Sequence, residues 1–146
     1  MRHLVLLIVF VTGTIASYQE TTMQQFADYR IQCSEANGIS REELLQILKH
    51  PFPSEGYPQC YVKCILEMTD FLDNNNELVA HKIIHQLNFG EKNLNVELLE
   101  NAVEECNERF RSEPVECTKA YNTGDCFFRI EQRFSIFIAS LNRRAL

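Results

Sequence analysis

Six cysteines constrain this chain of 146 residues more than any other feature of its sequence. In chain order they are Cys33, Cys60, Cys64, Cys106, Cys117 and Cys126, separated by 26, 3, 41, 10 and 8 residues. In an oxidising compartment such a set pairs into three disulfides, whereas in a reducing compartment it more often binds metal or takes part in catalysis. The cellular compartment therefore decides what kind of fold these cysteines support.

The N-terminus predicts secretion. Arg2 and His3 form a short polar start, the run Leu4–Val11 is entirely apolar, and small residues at Thr14 and Ala16 suit cleavage after residue 16. The apolar run is too short to span a bilayer. We therefore expect a signal peptide over residues 1–16 and a single mature domain over 17–146. A buried N-terminal helix is the alternative interpretation.

Secretion favours three disulfides, for which 15 pairings are possible. Cys60 and Cys64 lie four residues apart in a predicted helix, so both side chains leave the same face and are poorly placed to bond each other. Each should reach a different partner, which makes this helix a hub. A zinc site would need paired CxxC knuckles, and none occurs. The sequence predicts no metal and no cofactor.

Apolar residues recur at helical spacing along most of the chain, which predicts an all-α fold of about six helices. Helix one carries the stripe Met23, Phe26, Ala27, Arg30 and Cys33; helix two follows a capping box at Ser40 and turns Leu44, Leu45, Ile47 and Leu48 inward. Helix three begins near Pro58 and extends through Phe71 and Leu72, a polar loop covers 73–76, and helix four spans about 77–87. Helix five carries the stripe Leu99, Ala102, Val103, Cys106 and Phe110, and helix six begins at Pro114 and is interrupted over 122–125.

The charge excludes some classes of partner. Acidic residues outnumber basic ones, 20 to 14, for a net charge of −6. Proteins that bind nucleic acid usually present a basic face to the phosphates, and anionic lipid attracts basic segments in the same way. We expect no nucleic-acid partner and no stable membrane insertion.

Together, the secretory N-terminus, the helical pattern and the order of cysteine gaps resemble the insect odorant-binding proteins, the family of pheromone- and general-odorant-binding proteins. The resemblance covers roughly Thr21 to Cys126. It implies three disulfides, Cys33–Cys64, Cys60–Cys117 and Cys106–Cys126, and six helices around a central apolar cavity. The segment after Cys126 is long and rich in phenylalanine, and in this family such a tail can line or close the pocket.

The resemblance implies a secreted carrier that binds and transports small hydrophobic molecules, odorants or pheromones, in that cavity. Candidates for the pocket lining are Met68, Phe71, Leu78, Ile84, Val103, Tyr121, Phe127, Phe128 and Phe134, each of which could instead pack against a neighbouring helix. One alternative is a carrier outside olfaction, in haemolymph, saliva or reproductive secretion. Another is a secreted interaction protein that binds a partner through its C-terminal tail.

Two histidines, His81 and His85, lie four residues apart and form a candidate pH-sensitive element; exposed histidines without a special role are the alternative. No motif for a catalytic nucleophile, a phosphate loop or a zinc protease occurs, so we expect a protein that is not an enzyme. The predicted partners are a small hydrophobic ligand and, as a further candidate, a sensory receptor. The predicted state is a monomer or weak dimer.

Overall fold

The computed structural model describes residues 19, 21–50, 52–53, 56–88 and 95–132. Within these residues the chain forms six helices and no strand beyond a single bridge between Leu72 and Leu78. The helices are α1 (Met23–Ala36), α2 (Arg41–Ile47), α3 (Gln59–Met68), α4 (Ala80–Asn88), α5 (Val96–Phe110) and α6 (Glu116–Gln132). The all-α prediction is confirmed. The predicted signal peptide (1–16), Phe134 and the tail after residue 132 lie outside the described residues.

Capping boxes begin the first two helices. The hydroxyls of Thr22 and Ser40 accept hydrogen bonds from the backbone N–H groups of Gln25 and Glu43, whose side chains accept from the backbone N–H of the capping residue. The hydrogen bonds from Ser40 also lower the pKa of Glu43. Reciprocal caps satisfy N–H groups that a helix leaves without partners, so the box predicted at Ser40 is confirmed.

The inward face of α2 is narrower than predicted. Leu44 is buried, but Leu45 is 53% exposed. This helix has only seven residues, and consecutive side chains on a helix point about 100° apart. A single short face contacts the core, so the expectation that Leu45 also points inward is wrong.

Helix α3 ends earlier and α4 begins later than predicted. Asp70 adopts a positive φ of 61° just after α3, which stops the helix, and the amide of Phe71 donates to the carbonyl of Leu66. The chain then turns through the polar segment 73–76, where the side chain of Asp73 accepts from two backbone amides. Phe71 and Leu72 therefore lie in an extended hairpin rather than in α3, and the predicted polar loop is confirmed.

The predicted break in α6 is wrong, because α6 runs unbroken through residues 122–125. Thr123 is fully buried, and a Cβ on Gly124 would lie 3.1 Å from Leu66 Cδ1. Glycine thus permits α3 and α6 to pack closely at this point. The segment 122–125 resembles a turn in sequence, but packing of the continuous helix against the core outweighs that local preference.

Three disulfides join four helices, and their pairing is the one that the family resemblance implies. Cys33–Cys64 joins α1 to α3, Cys60–Cys117 joins α3 to α6, and Cys106–Cys126 joins α5 to α6. The predicted hub is confirmed because α3 carries two of the bonds. Their sequence separations of 31, 57 and 20 residues correspond to about 3–4 kcal/mol of loop entropy each.

The core lies between these linked helices. Helix α3 contributes several of the largest buried side chains of the core, among them Tyr61 and Ile65. Phe127 of α6 is also fully buried. The apolar stripe predicted for α5 is buried from Leu99 to Cys106. None of the helices in the described part of the chain is long and apolar enough to cross a membrane.

Candidate functional site

An apolar cavity lies where α1, α3, α4 and α6 face one another. Its walls are mainly hydrocarbon and aromatic, and the space open to the centres of water-sized molecules is about 70 Å³. The lining residues are Thr21, Met23, Phe26, Arg30, Phe52, Ile65, Leu66, Thr69, Phe71, Ile83, Gln86, Leu87 and Phe128. By the same measure a single water needs about 10–15 Å³, so the cavity has room for a small organic molecule.

An aromatic cluster forms one wall of the cavity. Phe52 packs edge-to-face against Phe26 and Phe128, with ring centroids 6.5 and 6.0 Å away. It also contacts Tyr57 at 5.5 Å. Edge-to-face pairs add about 0.5–1.5 kcal/mol each beyond the burial of their area. Phe26, Phe52 and Phe128 all line the cavity, so this wall is aromatic.

Three of the four polar lining residues form hydrogen bonds within the protein. The amide of Thr21 donates to Gln86 Oε1 at 2.7 Å, and Gln86 Nε2 donates to the carbonyl of Thr21 at 3.1 Å. The hydroxyl of Thr69 donates to the carbonyl of Ile65 at 2.9 Å. The Thr21–Gln86 pair connects the segment before α1 to α4, and the Thr69 bond closes on the end of α3.

The fourth polar lining residue is Arg30, which is only 7% exposed. Its guanidinium lies 4.7 Å from the ring centroid of Phe26. Burial lowers the pKa of Arg30, and the nearby Tyr61 and Tyr57 partly oppose that shift. Within the described residues Arg30 makes no hydrogen bond and no ion pair.

The two tyrosines near Arg30 are buried too. Burial raises the pKa of Tyr61 to about 12 and also raises the pKa of Tyr57. The Tyr57 hydroxyl donates to the carbonyl of His50 at 2.9 Å. The Tyr61 hydroxyl has no hydrogen-bond partner in the described part of the chain.

Of the nine residues predicted to line a pocket, the cavity brings together two, Phe71 and Phe128. Four others are buried but do not line it, namely Leu78, Ile84, Val103 and Phe127. Met68 is 36% exposed and Tyr121 is half-buried, and neither reaches the cavity. Phe134 lies outside the described residues, and ligand contact at all nine positions stays a prediction.

The cavity wall contains residues that the sequence did not predict there, among them Arg30, Phe26 and Ile83. The signal for the first two was present, because both belong to the apolar stripe of α1 that ends at Cys33. Since Cys33 is fully buried, its neighbours one and two turns earlier share its inward face. Ile83 directly precedes Ile84, which was predicted to line the pocket. Apolar spacing along a helix does not show which of two adjacent apolar residues faces the cavity.

The two candidate histidines lie on the solvent side of α4. His81 and His85 are both exposed, and neither lines the cavity. No group of three or more histidine, cysteine or acidic side chains in the described residues is placed to hold a metal ion. The pH-sensitive role of the histidines stays a prediction.

Six helices, three disulfides linking α1, α3, α5 and α6, and an apolar cavity define a class of small helical binding proteins. The chain belongs to the insect odorant-binding proteins, since the signature of the PBP/GOBP family matches residues 15–130. It is 30% identical over 111 residues to general odorant-binding protein 99b of Drosophila melanogaster, covering 75% of this chain and 74% of that protein. It is 21% identical over 90 residues to odorant-binding protein 22 of Aedes aegypti, covering 62% of this chain and 65% of that protein. No solved structure matches significantly.

Proposed function

We propose that this protein is a secreted, non-enzymatic carrier that holds a small hydrophobic molecule, an odorant or a pheromone, in the cavity between α1, α3, α4 and α6. The observation that carries the proposal is the mostly apolar cavity wall, with Phe71, Ile83 and Phe128 among its side chains. Membership of the odorant-binding family supports the same conclusion. The two named relatives are odorant-binding proteins by name.

Binding in such a cavity is driven by removing apolar surface from water. A ligand of about 15 heavy atoms with a Kd near 1 μM needs only ~0.5 kcal/mol per atom, which is within reach of small ligands. The satisfied pairs at Thr21, Gln86 and Thr69 cost nothing further on binding, because their hydrogen bonds stay within the protein.

Displacement of a fluorescent apolar probe, N-phenyl-1-naphthylamine, tests the proposal. We expect the oxidised protein to bind the probe and release it to small hydrophobic competitors. Phe71→Ala should weaken binding about fivefold, because it removes roughly 1 kcal/mol of apolar contact at a half-exposed site. Met68→Ala is the matched control, since Met68 is nearby in sequence but absent from the cavity wall. Failure of the protein with all three disulfides to bind any apolar probe would contradict the carrier function.

Secretion is part of the proposal, and three disulfides support an oxidising, extracellular compartment. N-terminal sequencing of the protein recovered from the medium of insect cells should give Ser17 as the first residue. A product that begins at Met1, or that stays in the cells, would contradict the predicted signal peptide.

The proposed partners extend to a sensory receptor, and the proposed state is a monomer or weak dimer. Sedimentation of the purified protein between about 10 and 200 μM should give a mass at or slightly above that of one chain. If His81 and His85 control release, probe affinity should fall between about pH 7 and pH 5. The double variant His81→Gln/His85→Gln should remove that fall, and equal affinity at both pH values in the parent would reject the switch.

A further inference from the structure

The cavity contains one charge that the described residues leave without a counter-ion. Arg30 lines the cavity, and only 7% of its surface is exposed. Among the described residues, only the ring of Phe26 packs against its guanidinium. A guanidinium stays protonated in proteins and carries five N–H donors. In the described part of the chain none of these donors has an acceptor.

The interactions that the protein does provide offset this burial only in part. Taking a cation out of water costs more free energy than a single cation–π contact returns. The neighbouring Tyr57 and Tyr61 are neutral phenols, because burial raises the pKa of both. The other polar residues of the cavity wall form hydrogen bonds to each other or to the α3 backbone, and none of these bonds involves Arg30. The acceptor therefore has to come from outside the described residues, and a ligand in the cavity can supply it.

We propose that Arg30 is the anchor of this cavity for an anionic headgroup, and that the preferred ligand is an apolar molecule that ends in a carboxylate. This inference rests on the proposed carrier function and specifies its ligand class. A carboxylate fits the fork of a guanidinium with two parallel hydrogen bonds and cancels its charge. An alcohol, aldehyde or ester supplies an acceptor but leaves the charge uncompensated.

The rest of the cavity suits the remainder of such a molecule. Beyond Arg30 the lining is aliphatic or aromatic apart from the satisfied polar groups, so a hydrocarbon tail loses water contact there without leaving a protein donor unpaired. A second anionic group on the ligand would find no further cation among the described wall residues. The cavity therefore selects a single anionic head on an otherwise apolar body.

The test compares decanoate with 1-decanol, which differ only at the head, in displacing N-phenyl-1-naphthylamine at about pH 7. Hydrogen bonds to charged groups contribute about 1.5–3 kcal/mol, so decanoate should bind at least ~10-fold more tightly than decanol to the parent protein. Arg30→Met keeps the length of the side chain and removes the charge. It should weaken decanoate binding at least ~10-fold and leave decanol within ~3-fold.

Two further variants separate charge at the site from charge elsewhere. Arg30→Lys retains the cation without the fork and should give an intermediate preference for decanoate. Arg41→Met removes the same charge from an exposed position on α2 outside the cavity wall, and should leave both affinities unchanged. Circular dichroism before binding checks that each variant is folded.

A second readout follows the ligand directly. With decanoate labelled with ¹³C at the carboxyl carbon, the bound carboxyl should titrate at a lower pH than the free acid in the parent protein, and not in Arg30→Met. Equal affinity of the parent for acid and alcohol would overturn the anchor and leave the carrier function intact. Binding of neither ligand nor probe would overturn both. If Arg30→Met does not fold, the anchor is still tested by the relative affinity of the parent protein for acid and alcohol and by the same comparison in Arg30→Lys.

Discussion

Asn107 on α5 connects two parts of the fold that are 29 residues apart. Its Nδ2 donates to the carbonyl of Leu78 at 2.9 Å, and its Oδ1 accepts from the amide of Leu78 at 2.8 Å. Leu78 forms the return of the hairpin that begins with the cavity residue Phe71. Asn107 is only 5% exposed, so water does not replace these bonds. The pair fixes the hairpin to α5.

Asn107→Leu preserves the approximate volume of the side chain and removes both bonds. It leaves the buried N–H and C=O of Leu78 without partners, and each such group costs about 1–3 kcal/mol. The added hydrocarbon returns part of that loss. We expect the free energy of unfolding to fall by about 3 kcal/mol, which for a domain of this size lowers Tm by roughly 10 °C.

Urea denaturation of the oxidised protein, followed by circular dichroism, measures this loss as a shift in midpoint at constant slope. Asn101→Leu is the matched control, because Asn101 lies exposed on the same helix and its replacement should change stability by less than about 0.5 kcal/mol. A loss below about 1 kcal/mol for Asn107→Leu, or an equal loss for the two variants, would refute the argument that Leu78 depends on this amide.

Three other variants test features of the fold by the same denaturation assay. Gly124→Ala should destabilise by about 1 kcal/mol, because crowding against Leu66 exceeds the gain in helix propensity, and should stabilise by a similar amount in a Leu66→Ala background; the same sign in both backgrounds would contradict this. Tyr61→Phe removes a buried hydroxyl without a described partner and should stabilise by about 1 kcal/mol. With the folded pKa of Tyr61 raised to about 12, folding holds a proton that the unfolded chain releases above about pH 10, so stability falls from there upward; the Phe variant should lose less between about pH 9 and 11, and an equal loss would reject that cause. Replacing Cys60 and Cys117 together by alanine opens a loop of 57 residues and should cost about 4 kcal/mol; a loss under about 1 kcal/mol would contradict the loop-entropy account.

Apolar stripes predicted the six helices, and the family resemblance carried by the cysteine spacing implied the disulfide pairing. The stripe of α5 from Leu99 to Cys106 is buried as expected, because a long amphipathic helix has only one face that can meet a core. The break predicted at Gly124 failed for the opposite reason. There the contact with Leu66 of α3 decides the structure, and no local pattern contains information about a side chain from another helix.

The cavity was harder to predict than the fold. Ile83 and Ile84 are adjacent and both buried, yet only Ile83 lines the cavity. A stripe indicates which residues face inward, but the helix that they face depends on crossing angles that the sequence does not specify. Arg30 occupied the inward stripe of α1 from the start. A charged side chain does not stabilise an apolar core. A charged residue at a core position therefore marks a place where function, not folding, determines the residue.

The disulfides connect α1, α3, α6 and α5 in one covalent series, while α4 contains no cysteine. Three walls of the cavity are thus tied to each other by bonds that do not open, and the fourth is held by packing on α5 and by the Thr21–Gln86 pair. A ligand that is wider than the mouth of the cavity needs a transient opening, and the wall without covalent ties has the lowest cost of moving. The rates of uptake and release would then follow the local stability of α4, so a substitution that loosens α4 would speed both rates together while leaving the walls that recognise the ligand in place.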